Sequence, residues 1–411
     1  MDYAVQPSFS KSVQDLTATV KHRQHILQST IDIWRSSDSP LGMYKKGGNF
    51  GLGEVSGDLS IVGDFTTIPV IDVAGIYSEN IRDRKAVAEK IRDACTRVGF
   101  FYIEGHGIPQ QLIDNVFSLG KQFFALDVKE KMKLFVNNRP NYRGYTPLFG
   151  SGNPNQEGLG NANEAFDWGH DSKLNDDPND AFVDPYMKGE NIWPTESLPE
   201  FEECLSEYYR RLRSFSRVLA RNMALSLDLA EDFFDKDLAH PGCSAVIAHY
   251  PPQASKKDQI GLDPHSDSEF FTVLAPGEVR ALEVLNKRRK WVSAPPRHGS
   301  FIVNIGDQLQ SWTNGLYIST MHRVSNLSGL ERYSVPFFFS ANYETVIKPI
   351  PKFVPKGTKI EYEDITAGEM YKNTMIKFHR IATTHPVYSK YVIDGIHDLA
   401  HHESQKHLRY T

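Results

Sequence analysis

The chain has 411 residues, a formal net charge of −5 at pH 7 and three cysteines. The mildly acidic balance excludes the basic surface that nucleic-acid-binding proteins carry, and the lack of any apolar run of about 18 residues predicts that no segment spans a membrane. Three cysteines without a Cys-x-x-Cys pair are too few for a disulfide framework, so the sequence favours a reducing, cytoplasmic location.

Residues 1–66 are predicted to form an N-terminal extension. Apolar residues between Leu16 and Trp34 recur near helical spacing and predict one amphipathic helix. The stretch from Leu41 to Asp64 is rich in glycine and predicts a loop. The extension either packs against the rest of the protein or covers a pocket, and the composition does not decide between the two.

Residues 67–240 are predicted to be mainly helical. Helices are expected over 85–97, over 110–126 and from about 200 to 227, the last with a stripe of apolar residues at helical period. Gly99–Ile103 is apolar throughout and predicts a buried strand.

Two histidines and one aspartate in the next region suggest a metal site. Residues i and i+2 of a strand lie on one face, so His265 and Asp267 can bind the same ion, and His322 is the candidate for a third ligand. Two histidines and one carboxylate leave three positions of an octahedron open, as in non-haem Fe(II) oxygenases. The pair alone is weak evidence, because the chain has 15 histidines.

Arg332 and Ser334 follow His322 and again share one strand face. A guanidinium group beside a hydroxyl suits a carboxylate ligand. The stretch from Asp263 to Ser334 therefore predicts an iron site with an anion-binding site beside it.

The order of the motifs in this stretch resembles the isopenicillin N synthase-like family of Fe(II)- and 2-oxoglutarate-dependent oxygenases. Five motifs of that family occur here in sequence, and the resemblance extends over about residues 67–378. The motifs are His265-x-Asp267, Asn304-x-Gly306-Asp307, Asn314-Gly315, His322-Arg323-Val324 and Arg332-x-Ser334.

The resemblance implies an all-β core with helices, namely a double-stranded β-helix, or jelly-roll barrel, clad by N-terminal and C-terminal helices. The barrel core is expected over residues 241–345, with C-terminal helices and a tail over 346–411. It also implies that the iron and 2-oxoglutarate activate O2, and that decarboxylation of 2-oxoglutarate to succinate is coupled to oxidation of a C–H bond.

The resemblance also implies which residues serve each part. His265, Asp267 and His322 would hold Fe(II), and Arg332, Ser334 and Tyr250 would hold 2-oxoglutarate, although Ala248 stands where many family members have an asparagine. The residues expected at the substrate or the rim of its site are Phe338, Tyr142, Tyr145, Phe166 and Trp168.

Strand period alone gives one further expectation. Because Arg332 and Ser334 face inward, Pro336, Phe338 and Ser340 should face inward too, while Phe337 and Phe339 turn outward to the helices. Phe338 is then a candidate apolar contact for the substrate, and a residue that merely fills the barrel is the alternative.

We therefore expect an oxygenase of a small organic molecule, catalysing hydroxylation, desaturation or oxidative ring chemistry, with a role in specialised metabolism. Three alternatives remain at this point: a zinc hydrolase on a similar barrel, an oxidase of the same family that does not use 2-oxoglutarate, and a binding protein without activity. No nucleic-acid or membrane partner is expected, and the protein is expected to be a monomer or a weak homodimer.

Overall fold

The structure is a computed structural model. It describes residues 63–139, 141–152, 161–169, 171, 190–252, 260–326, 328–357, 360, 362–384 and 389–391. The predicted amphipathic helix, nearly all of the glycine-rich loop and most of the C-terminal tail lie outside these residues.

Six α-helices occur in the described residues. The first of them shows how the sequence determines where a helix begins and which of its faces is buried. Helix α1 begins at Ile81 because the Asn80 side chain accepts a hydrogen bond from the Arg82 backbone N–H, and it buries Val87 and Ile91 as the apolar spacing predicts. The six helices are α1 (Ile81–Arg97), α2 (Gln110–Phe124), α3 (Val128–Met132), α4 (Phe201–Ser226), α5 (Asp307–Trp312) and α6 (Ala367–Thr384).

Fourteen β-strands occur in the same residues, and most of them alternate between a face toward the barrel interior and a face toward the helices. The strands are β1 (Val70–Asp72), β2 (Phe100–Glu104), β3 (Gly144–Thr146), β4 (Glu164–Gly169), β5 (Ser244–Tyr250), β6 (Leu262–His265), β7 (Phe271–Ala275), β8 (Leu282–Leu285), β9 (Trp291–Ser293), β10 (Phe301–Ile305), β11 (His322–Val324), β12 (Arg332–Phe339), β13 (Val346–Ile347) and β14 (Ile365–Thr366).

The strands form two main sheets that face each other. The larger sheet has the order β1-β2-β10-β7-β12-β5-β4-β3, and the smaller has the order β6-β11-β8-β9. Helices α2 and α4 contact β12 of the larger sheet, and α4 also contacts α1 and α2. This arrangement is the helix-clad double-stranded β-helix that the family resemblance implies. The larger sheet joins strands from both sides of residue 240, so the predicted N-terminal region and barrel share it.

A buried ionic cluster joins α3 to β4 and β5 on the helix side of the larger sheet. The Glu164 carboxylate accepts hydrogen bonds from Lys131 Nζ at 2.8 Å and from the Tyr145 hydroxyl, and it lies 2.7 Å from His249 Nδ1. Burial raises the pKa of the Glu164 carboxyl, but its hydrogen bonds with His249 and Lys131 outweigh burial, and the net pKa lies below its ordinary value.

We expect Glu164→Gln to lower the free energy of unfolding by about 3–5 kcal/mol, because it leaves the buried Lys131 ammonium without its counter-charge. Since the folded-state pKa of Glu164 is lowered, its contribution is present above the ordinary pKa of 4.5 and is lost as the pH falls through the folded-state value. Urea unfolding at neutral and acidic pH measures both effects. Glu130→Gln, which removes an exposed ion pair with Lys133, is the control and should have no measurable effect.

Two further observations concern membrane-spanning helices and cysteines. No helix among the described residues is long and apolar enough to cross a membrane. All three cysteines are free, and Cys95 and Cys243 are buried.

Candidate active site between the two sheets

A cavity opens between the two sheets, and α6 closes one side of it. The larger sheet contributes residues of β4, β5, β7, β10 and β12, and the smaller sheet contributes residues of β6, β8 and β11. The cavity brings together both predicted histidines, the predicted aspartate and the predicted anion-binding residues.

His265 and His322 lie opposite each other on neighbouring antiparallel strands, with ring centroids 4.2 Å apart. His265 Nδ1 lies 2.7 Å from the Asp263 carbonyl oxygen, and His322 Nδ1 lies 3.2 Å from the Thr320 carbonyl oxygen. A protonated Nδ1 that donates to a carbonyl leaves the Nε2 lone pair free for a metal ion, which is the usual arrangement of histidine ligands.

Asp267 directs one carboxylate oxygen at both histidines. Its Oδ1 lies 3.6 Å from His265 Nε2 and 3.5 Å from His322 Nε2. Its other oxygen, Oδ2, accepts hydrogen bonds from Thr272 Oγ1 and from Asn304 Nδ2 at 2.7 Å. One candidate ligand atom from each of the three residues lies within 4.8 Å of the others, which is close enough for one ion.

The protonation states also suit a metal ion. Burial and the neighbouring His322 lower the pKa of His265. Burial raises the pKa of Asp267, but His322 and His265 outweigh burial, and the net pKa lies below its ordinary value. A neutral imidazole and an ionised carboxylate are the forms that bind metals, and two histidines with one carboxylate are typical of non-haem iron.

One detail differs from the sequence prediction. His265 and Asp267 were expected on one strand face, but β6 ends at His265 and Asp267 lies in the following turn. This turn packs against the start of α5, where the Asp307 backbone N–H donates to the Asp267 carbonyl oxygen at 2.8 Å. Gly306 permits the close approach, because a Cβ there would lie 1.9 Å from the Glu269 carbonyl oxygen.

The predicted anion-binding site lies in the same cavity. Arg332 is fully buried, and its Nε and Nη1 have no hydrogen-bond partner among the described residues. Tyr250 lies opposite it on β5 and contributes a hydrogen bond and a ring 4.7 Å from the guanidinium carbon. Ser334 and Ala248 line the cavity beside them. A buried guanidinium without a carboxylate is expected to bind an anionic ligand.

Strand β12 places the predicted aromatic residues on opposite faces. Pro336 and Phe338 line the cavity. Phe337 is fully buried and packs against Tyr209 of α4, with ring centroids 5.5 Å apart. Ser340 lies just after the strand, does not line the cavity and bonds to Gln308 instead.

The other four predicted substrate residues do not line the cavity. Tyr145, Phe166 and Trp168 are buried in the core, and Tyr142 stacks on His379 with ring centroids 5.4 Å apart. For Phe166 and Trp168 the physical reason is the strand period: on β4 the family motif marks Glu164, Phe166 and Trp168, which face the helices, whereas the alternate residues face the cavity. The prediction that these four contact the substrate is therefore corrected.

The sequence interpretation missed the polar residues of β4 and the residues of α6. The period-2 alternation of β4 could have identified the first group once Phe166 was assigned to the core, whereas no sequence signal placed α6 over the cavity. The missed residues of these two groups that line the cavity are Asn163, just before β4, and Asp167, Tyr371, Thr374, Met375, Phe378 and His379.

Two protein-family models match the chain. Residues 68–196 match the N-terminal model described as non-haem dioxygenase in morphine synthesis. Residues 241–341, which contain the candidate site, match the model of the 2OG-Fe(II) oxygenase superfamily, where 2OG stands for 2-oxoglutarate.

Curated relatives match over most of their length. A 2-oxoglutarate-Fe(II) type oxidoreductase, ppzC, from Metarhizium majus is 33% identical over 72% of this chain and 84% of its own. A homoarginine-6-hydroxylase, 2-ODD-C23, from Glycine max is 33% identical over 74% of this chain and 95% of its own.

Solved structures share the fold. A 2OG-Fe(II) oxygenase family protein from Caulobacter crescentus is 28% identical, with a TM-score of 0.65 over 75% of this chain and 98% of its own. The enzyme JOX2, solved with 2OG, Fe and JA, is 26% identical, with a TM-score of 0.61 over 83% of this chain and 91% of its own.

Proposed function

Because the chain belongs to the 2OG-Fe(II) oxygenase superfamily, we propose that the cavity between the two sheets is where it oxidises a small organic molecule. His265, Asp267 and His322 hold Fe(II), and Arg332 holds 2-oxoglutarate. The observation that carries the proposal is the convergence in one cavity of three metal-ligand side chains and a buried guanidinium whose Nε and Nη1 have no hydrogen-bond partner among the described residues.

The residues present fit both groups. Each histidine has its Nδ1 beside a backbone carbonyl and its Nε2 toward Asp267 Oδ1, while Thr272 and Asn304 hold the other carboxylate oxygen. This arrangement fixes the donor atoms before an ion arrives. When bound, iron and 2-oxoglutarate supply the O2 chemistry that couples 2-oxoglutarate decarboxylation to C–H oxidation.

The rest of the protein's contribution is positioning. Arg332 would bind a carboxylate of 2-oxoglutarate, with Tyr250 and Ser334 beside it, and so would orient that molecule. Phe338 and Pro336 give the substrate an apolar wall and limit the entry of water. A buried Arg332 that forms no ion pair with a carboxylate among the described residues favours this function over a metal hydrolase, which has no need of an anion site there.

The experiment is a screen with the Fe(II)-loaded protein. Candidate small molecules, beginning with L-homoarginine because a relative carries that name, are tested for 2-oxoglutarate-dependent succinate release and for a product of altered mass. We expect at least one substrate to give equal amounts of succinate and product. Product formation that needs no 2-oxoglutarate would contradict the proposal and favour the oxidase alternative.

Two adjacent phenylalanines give a paired prediction. Phe338→Ala should weaken substrate binding or uncouple succinate release from product, because its ring faces the cavity. Phe337→Ala should lower the free energy of unfolding by about 3–5 kcal/mol, because its ring is core. Steady-state kinetics measure substrate binding and coupling in both variants, and urea unfolding measures their free energies of unfolding. Equal loss of stability with unchanged kinetics in both would show that Phe338 only fills the barrel.

We further propose that the protein acts in the cytoplasm as a monomer or weak homodimer. The three free cysteines support a reducing location. Size-exclusion chromatography with light scattering tests the oligomeric state, and a stable tetramer would contradict it.

A further inference from the structure

The side chain of His249 links three strands on the helix side of the larger sheet. It lies on β5 and is buried, and its Nδ1 lies 2.7 Å from Oε1 of Glu164 on β4. Its Nε2 lies 2.9 Å from Oε1 of Glu331, the residue that precedes β12. Glu164, His249 and Glu331 therefore join β4, β5 and the start of β12, and we call these three residues the His249 clamp.

The two carboxylates determine the protonation of His249. An ionised carboxylate accepts hydrogen bonds and donates none, so a ring nitrogen bonds to it only when that nitrogen carries a proton. With an ionised carboxylate on each side, both ring nitrogens are protonated and His249 is an imidazolium. Hydrogen bonds between an imidazolium and a carboxylate are charge-assisted and roughly twice as strong as those between neutral groups.

Tyr333 stabilises the outer end of the His249 clamp. It pairs with His249 across β5 and β12, and the two rings stack with their centroids 4.6 Å apart and an angle of 11° between their planes. The Tyr333 hydroxyl donates to the same Glu331 oxygen at 3.1 Å. The Glu331 side chain is 48% exposed, and these two hydrogen bonds hold its carboxylate against the sheet.

The His249 clamp lies directly behind the proposed 2-oxoglutarate site. Successive residues of a strand point to opposite faces of the sheet. Tyr250 follows His249 and lines the cavity, and Arg332 follows Glu331 and lines it too. Arg332 and Tyr250 form the last residue pair between β12 and β5. Strand ends are where a sheet opens most readily, so the bond from His249 to Glu331 holds this last pair together.

The Arg332 side chain depends on this support, because its own contacts do not fix it. The guanidinium forms no ion pair among the described residues, and its Nε and Nη1 have no hydrogen-bond partner there. Its contacts with Tyr250 are a hydrogen bond and a ring 4.7 Å from the guanidinium carbon. Two parallel hydrogen bonds to a carboxylate need the guanidinium to be placed within about 0.5 Å.

We propose that Glu331, held by His249, is a positioning residue for 2-oxoglutarate. The His249 clamp fixes the start of β12 against β5 and so places Arg332 where it meets a carboxylate of 2-oxoglutarate. Glu164, with its bonds from Lys131 and Tyr145, anchors the inner end of the clamp in the core. The inference rests on the proposed function and deepens it, because it gives residues outside the cavity a role in binding the cosubstrate.

The test measures the affinity of the anaerobic Fe(II)-loaded protein for 2-oxoglutarate by isothermal titration calorimetry. Glu331→Ala should raise the dissociation constant roughly three- to tenfold. Glu104→Ala, which removes an exposed carboxylate paired with Arg297, is the control and should leave the dissociation constant unchanged. An unchanged dissociation constant in Glu331→Ala would overturn the proposal.

A double-substitution cycle distinguishes positioning of Arg332 from a general structural role. If Glu331 acts through Arg332, adding Glu331→Ala to Arg332→Ala should weaken 2-oxoglutarate binding less than about twofold further. A further loss as large as that caused by Glu331→Ala alone would show that Glu331 acts independently of Arg332 and would overturn the proposal. If the alanine variant does not fold, Glu331→Gln, which removes the charge and keeps the shape, is measured in the same cycle.

The same measurements separate this inference from the proposed function. If Arg332→Ala weakens 2-oxoglutarate binding and Glu331→Ala does not, only the inference is refuted. If Arg332→Ala itself binds 2-oxoglutarate as tightly as the wild type, the proposed cosubstrate site is refuted, and this inference with it.

Discussion

His322→Ala should abolish turnover while leaving the protein folded. The substitution removes one of three ligands and leaves Asp267 and His265, which cannot hold Fe(II) on one face of an octahedron. The barrel should persist, because backbone hydrogen bonds between strands stabilise both sheets and β11 keeps its pairing with β6 and β8. Metal analysis after anaerobic loading, succinate release and circular dichroism together measure the outcome.

His298→Ala is the matched control, because His298 is exposed and lies outside the cavity. It should retain iron and activity. Wild-type turnover in His322→Ala would mean that the metal is bound elsewhere, and loss of fold in that variant would mean that the metal site is part of the core.

Arg332→Ala should raise the concentration of 2-oxoglutarate needed for half-maximal activity far more than that of the primary substrate. Removal of one partner of a buried charge pair costs roughly 2–5 kcal/mol, which corresponds to tens- to thousands-fold in affinity. Steady-state kinetics with each substrate varied in turn measure the two effects separately.

Arg280→Ala, which removes an exposed guanidinium, is the control. It should leave the half-maximal concentrations of 2-oxoglutarate and of the primary substrate unchanged. If Arg332→Ala raised the concentration needed for half-maximal activity equally for 2-oxoglutarate and for the primary substrate, the substitution would have damaged the cavity as a whole. An unchanged requirement for 2-oxoglutarate would show that Arg332 does not bind it.

The sequence predicted the elements whose determinants are local. The apolar spacing predicts a helix over 85–97, and α1 spans Ile81–Arg97, with its earlier start set by the Asn80 cap. The apolar run Gly99–Ile103 predicts a strand, and β2 spans Phe100–Glu104. In both cases the signal is a hydrophobic pattern within a few residues.

The metal ligands were predictable because the spacing and order of their motifs are unusual. The residues that hold the Asp267 carboxylate in place were not predictable. Thr272 and Asn304, which hold Asp267 Oδ2, come from β7 and β10, and only the fold brings those strands to the turn after β6. The family motif also drew attention to Phe166 and Trp168, whose importance is packing, and away from Asp167 between them.

The division of the chain at residues 66, 240 and 345 remains a prediction. The helical N-terminal region contributes β1 to β4 to the same eight-stranded sheet as the barrel strands. We therefore expect the segments 67–240 and 241–345 to unfold together, since hydrogen bonds between β2 and β10 and between β4 and β5 cross that boundary.

The most direct measurement is a crystal structure of the protein grown without oxygen with Mn(II), as a stand-in for Fe(II), and 2-oxoglutarate. We expect one anomalous peak at ligand distance from Nε2 of His265, Oδ1 of Asp267 and Nε2 of His322. We also expect one carboxylate of 2-oxoglutarate to contact Arg332. A metal peak away from these three atoms, or 2-oxoglutarate bound without contact to Arg332, would contradict these expectations.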